Sequence, residues 1–119
     1  MTATYCTDDD IKAIFGVSNW TTWCDLDNDE SGSKIAARSD EARVHGYNDI
    51  NDRLRRSHYT IPFTGTVPHE IGHLESRIAG LLLMSARGQE DEGPSMKAVR
   101  DDVDKTFEDI LAGNVRLDA

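Results

Sequence analysis

Large apolar residues are scarce in this 119-residue chain: Leu, Ile, Val and Phe together fill 25 positions, about 21%, close to the ~20% level below which highly charged chains stay disordered. A large, self-sufficient core is therefore excluded. Bases are scarce as well, 13 Lys and Arg against 22 acids for a net charge of −9. That balance repels phosphate and argues against tight nucleic-acid binding by the bulk surface. The longest apolar run, Ile78 to Met84, is far short of the ~20 residues that span a bilayer, so no membrane segment is expected. The first thirty residues carry seven acids and one lysine, the reverse of a basic export or transit signal, so neither is expected. Two cysteines, Cys6 and Cys24, allow at most one bridge. Without export the reducing cytosol is the expected compartment, and both read as free thiols.

The acid sits at the two ends: residues 1–33 carry −6 and 88–119 carry −5, while 34–58 carry +2 and 59–87 are neutral. Solvated faces account for this most simply. An acidic surface that lets DNA pass without sticking is the functional alternative.

What is present is a series of helix signals. Thr7 before Asp8, Asp9 and Asp10 is a capping signature, with Ile11 and Ile14 as apolar positions and Gly16 as a stop. Trp20, Trp23 and Leu26 then predict a packed aromatic turn that runs into a polar loop. A second helix is expected from near Ser33 to about Ser57, on Ile35, Ala42, Tyr47, Ile50 and Leu54, with Arg53, Arg55 and Arg56 at its negatively polarised end. Tyr59 to Gly65, with Pro62 inside it, reads as an extended connector. Thr66 caps a third helix with Pro68 in its first turn. Its buried stripe is Ile71, Leu74, Ile78, Leu81 and Leu82, and it becomes apolar nearly all round, as a central helix should. An unpaired carboxylate at Leu82 is expected to prevent folding or ring formation. The acidic linker Gly88 to Pro94 breaks that helix. A last helix opens at Pro94 or Ser95, buries Val99, Val103, Phe107, Ile110 and Leu111, and stops at Gly113. The fold class is thus all-α, four main helices in a small bundle with an extended connector between the second and third. One helical domain covers 1–113, and 114–119 form a short C-terminal tail.

Three motifs bear on chemistry. His69-Glu70-Ile71-Gly72-His73 spells the zincin signature, two histidines one helical turn apart with a glutamate to activate water. A catalytic zinc needs a third protein ligand, and the positions of one common continuation are Ser76 and Ala79. Glu90 and Glu92, the other acids in reach, fall in or beside the Gly/Pro linker. Helical geometry turns His69 and His73 away from the apolar stripe, so two exposed histidines are the plainer reading, with no metal and no cofactor. Asp27, Asp29, Ser31 and Gly32 match the opening of an EF-hand loop, but Arg38 stands where the bidentate glutamate belongs. Asn19-Trp20-Thr21 is a glycosylation sequon, idle without export. No catalytic residue is assigned.

The segment Ile50-Asn51-Asp52-Arg53-Leu54-Arg55-Arg56-Ser57-His58-Tyr59-Thr60-Ile61-Pro62-Phe63, then Val67-Pro68 and a helix containing Ile78-Ala79-Gly80-Leu81-Leu82-Leu83, resembles the small head-to-tail connector proteins of tailed bacteriophages. So does the opening Tyr5-Cys6-Thr7-Asp8-Asp9-Asp10-Ile11. One departure is Ser57-His58 before Tyr59, where that family more often has arginine next to the tyrosine. The resemblance implies a virion structural protein of the phage neck, assembled in the host cytoplasm. Its copies would form a homo-oligomeric ring, commonly dodecameric, between the portal protein and the tail or neck proteins, and genomic DNA would pass through without sequence-specific binding. It also implies that the C-terminal end reaches toward the portal, which makes Val115, Arg116 and Leu117 the expected docking residues; Val115 and Leu117 alternate as on one side of an extended strand. A lean core and an acidic surface accord with such a ring. The competing readings are a minimal zinc metallopeptidase using His69, Glu70 and His73, and a monomeric helical regulatory module.

Overall fold

The computed structural model describes residues 4–25, 32–55, 57, 59, 61–63, 67–86 and 93–113. Among them there are five helices and no strand: α1 Asp8–Phe15, α2 Val17–Cys24, α3 Gly32–Leu54, α4 His69–Ala86 and α5 Gly93–Ala112. The fold is all-α. Thr7 caps α1 as its sequence predicts, through a reciprocal box in which the Asp10 carboxylate accepts from the Thr7 backbone N–H at 2.8 Å and the Asp10 N–H donates to the Thr7 hydroxyl.

Gly16 ends α1 and also launches α2. Its φ of +93° is a conformation L side chains rarely adopt. Its N–H donates to the Lys12 carbonyl, and its own carbonyl accepts from Trp20 N–H at 3.0 Å. The expected aromatic turn is therefore a second short helix. Trp23 and Cys24 of α2 are buried, and the Trp23 ring meets Phe15 edge-on at 5.5 Å. Two consecutive short helices with a glycine hinge let both Phe15 and Trp23 reach the same side.

The second expected helix ends earlier than predicted. Its last residue is Leu54, because the Ser57 N–H and hydroxyl both donate to the Leu54 carbonyl, at 3.0 and 2.7 Å, and terminate the helical ladder. Among the described residues between 55 and 68 no helix forms. Pro68 precedes α4, with its carbonyl accepting from Ile71 and Gly72. The proposed Thr66 cap, most of the EF-hand-like loop and the tail with Val115, Arg116 and Leu117 lie outside the described residues.

α4 is the central helix: it packs against α1, α2, α3 and α5. Every residue from Leu74 to Leu81 is buried, and so are Leu83 and Met84. Gly80 makes room there for the Phe15 ring, with which a methyl group in its place would collide. Ile71, Leu74, Ile78, Val103, Phe107 and Ile110 are buried as the apolar stripes predict, and Val99 is partly buried. Leu82 corrects the expectation. It is 36% exposed, because α3 and α5 lie on α4 with little contact between themselves, and Leu82 borders the groove that remains, with His45, Asp49, Arg53 and Arg100 around it. Leu111, also placed in the stripe of the last helix, is 45% exposed in the last turn of α5.

Candidate functional site

The middle of α4, buried from Leu74 to Leu81, has no room for free polar groups, yet it holds Glu75, Ser76 and Arg77. Each has a partner. Ser76 Oγ donates back to the Gly72 carbonyl at 2.9 Å, and the Arg77 guanidinium pairs with Asp102 of α5. Glu75 serves a different element, the segment that enters α1. Its Oε2 accepts from the Tyr5 N–H at 2.8 Å, and its Oε1 accepts from the Cys6 N–H and thiol, both at 3.1 Å. Burial pushes the Glu75 carboxyl above its ordinary value, while these hydrogen bonds and Arg43 pull the other way. Burial likewise pushes the Cys6 thiol well up. Cys24, also a free thiol, is raised to about 11 by burial and by Asp8.

Around this carboxylate the opening segment is fastened from several directions. Arg43 Nη1 donates to Thr4 Oγ1 at 3.1 Å and to the Cys6 carbonyl at 3.3 Å, and its Nε donates to Asp8 at 3.0 Å. Asp8 also accepts from the buried Ser39 hydroxyl, which in turn accepts from Trp20 Nε1 at 3.0 Å. The Tyr5 ring lies 4.6 Å from Tyr47 and 5.8 Å from Phe63. Its hydroxyl donates to Asn51 Oδ1 at 2.5 Å and accepts from the Phe63 N–H at 3.0 Å. One side chain thus joins the N-terminal segment, the end of α3 and the connector. Burial raises its phenol above the ordinary value.

Tyr5 and Asn51 belong to the segments on which the phage-connector resemblance rests. Glu75, Arg43 and Ser39 carry no motif. Their only sequence signal is position: Glu75 stands between Leu74 and Ser76 in an apolar helix, where an unpaired acid is not tolerated.

The zincin-like pair opens α4. His69 and His73 are exposed on the first turn of α4, with rings stacked at 6.0 Å and 23° between planes. They border a groove of about 540 Å³ together with Tyr5, Asp10, Ile14 and Ser76. Partial burial, Arg77 and His69 hold the His73 imidazole below its ordinary value. Among the described residues no group of three or more His, Cys, Asp or Glu side chains converges to hold a metal. Among those residues the pair has no third protein ligand of the kind a catalytic zinc site needs, and Glu90 and Glu92 lie outside the described residues. Among the described residues no helix is long and apolar enough to cross a membrane.

No known protein family, characterised protein or solved structure matches the chain.

Proposed function

We propose that this chain is a virion structural protein, a head-to-tail connector whose copies assemble into a ring between the portal and the tail of a bacteriophage and line the path of the genome. The reading starts from the resemblance in Tyr5–Ile11, Ile50–Phe63, Val67-Pro68 and Ile78–Leu83. The observation that supports it most is the Tyr5 junction. The tyrosine of the opening segment, Asn51 near the end of α3 and Phe63 of the connector meet at one hydroxyl. Two of the patterned segments thus touch in the fold, which supports the reading. In this reading α1, α3, α4 and α5 are the four main helices of the adaptor, α2 is an addition between the first two, and Tyr59 to Gly65 is its connector.

Two further features fit. The net charge of −9 suits a ring that DNA must traverse without arrest. A small domain with exposed Val17, Leu82 and Leu111 gains stability from contacts with neighbouring copies. In this reading the chain has a structural role and is not an enzyme.

Truncation after Gly113 tests the portal-docking part. Helical circular dichroism and melting should stay as in the full chain, while co-sedimentation with portal-containing capsids is lost. If the truncated protein still joins those capsids, docking lies on the helices and the assignment of Val115, Arg116 and Leu117 falls.

A further inference from the structure

The histidine pair has no part in the connector reading, and its geometry supports a separate use. His69 and His73 sit one turn apart, both exposed, with their rings already side by side at 6.0 Å. Two imidazole nitrogens bound to one ion lie within about 4 Å of each other, twice a metal–nitrogen bond of roughly 2.0–2.1 Å. Residues four apart on a helix have Cβ atoms about 5–6 Å apart. Modest turns of two unconfined rings therefore bring a nitrogen of each to a common point. We propose that His69 and His73 form a two-point chelate for a borderline divalent transition-metal ion, Cu²⁺ or Zn²⁺, with water filling the remaining positions.

The ligand class follows from the donors. Neutral imidazole suits copper, zinc and nickel, and among these Cu²⁺ binds a given nitrogen site most strongly, whereas Ca²⁺ and Mg²⁺ require oxygen. The positive end of the α4 dipole opposes a cation at this turn. The Asp10 carboxylate, which borders the same groove from α1, offsets it. The nearby Arg77 is already paired with Asp102. Two ligands hold an ion but do not fix it as three do, so the site binds metal without the constraint of a hydrolytic zinc centre. An ion that bridges the first turn of α4 also favours the folded state by mass action.

The test is a titration of the full-length chain with Cu²⁺ in a non-coordinating buffer, read by calorimetry and by electron paramagnetic resonance. The expected result is about one ion per chain with nitrogen coordination, and a rise in Tm with added metal. His73→Ala and His69→Ala should each weaken that binding by at least about tenfold, and Glu70→Gln should retain it. His69→Gln with His73→Gln keeps polar side chains at both exposed positions, and circular dichroism checks its fold. Equal Cu²⁺ affinity in the double variant would place the ion elsewhere, and absence of binding in the wild-type chain would end the proposal outright. Neither result bears on ring formation, which is measured without metal.

Discussion

On one side of α4, Glu75, Arg43, Ser39, Asp8 and Tyr5 form a connected set of buried and half-buried hydrogen bonds that closes the N-terminal segment onto α3. On the other side α5 is held by a stripe of Val103, Phe107 and Ile110 and by ion pairs whose acids, Asp102 and Asp104, are 60% and 59% exposed. The first side combines apolar packing with groups that are costly to leave unpaired. The second relies on a narrow apolar contact, a surface cation–π pair of Arg53 over Phe107 at 4.5 Å, and salt bridges that water and salt weaken. A chain with few large apolar residues thus concentrates its polar ordering where three segments meet and leaves a groove along α5.

The widest contrast is between two leucines of the same helix. Leu74→Asp, at a fully buried position, should cost several kcal/mol and unfold a domain whose total stability is on the order of 5–15 kcal/mol. Urea denaturation and circular dichroism read this directly. Retention of the wild-type Tm would remove α4 from the centre. Leu82→Asp, by contrast, should stay within about 1 kcal/mol, because its side chain already meets water at the groove. That reverses the expectation drawn from periodicity alone.

Glu75→Ala isolates the polar side. It strips the acceptor from two backbone N–H groups and a thiol and should destabilise by roughly 2–4 kcal/mol. Asp104→Ala on the α5 side should cost no more than about 0.5–1 kcal/mol. Comparable losses for both variants would erase the distinction between the two sides. Gly80→Ala should fall between them, at about 1–3 kcal/mol, from overpacking against Phe15.

The smallest effect is a pH dependence. Burial raises the Glu75 carboxyl above its ordinary value of 4.5, so the folded state holds that proton more tightly than the unfolded chain does. Ionisation of Glu75 therefore opposes folding. Its penalty is absent well below pH 4.5, grows as pH rises toward the folded-state value, and is constant above it. Glu75→Gln cannot ionise, and subtracting its stability curve from that of the wild type cancels the other acids. From acid to neutral pH the difference should move in favour of the variant. A shift toward the wild type would mean that the hydrogen bonds from Tyr5 and Cys6, with Arg43, outweigh burial.

Much of the helical frame was legible from local signals. Thr7 with Asp10, Gly16, and the apolar stripes of α4 and α5 mark elements through caps and periodicity, which depend on neighbours in sequence. What escaped was tertiary. α2 has no side-chain cap hydrogen bond, and its identity depends on Trp23 and Cys24 finding a buried surface. Leu82 fits the helical stripe, but its exposure is set by the separation of α3 and α5. Glu75 is one acid among 22 acidic residues, and only the arrival of residues 5 and 6, seventy positions away, makes it a buried acceptor. The histidine pair was visible as a motif, whereas the lack of a converging third ligand among the described residues is a fact of three dimensions.

The connector assignment is tested most directly by native mass measurement and negative-stain imaging of the full-length chain, alone and with portal-containing capsids. The account predicts a closed ring of many copies that associates with the portal vertex. A chain that stays monomeric at high concentration and ignores the portal would contradict it.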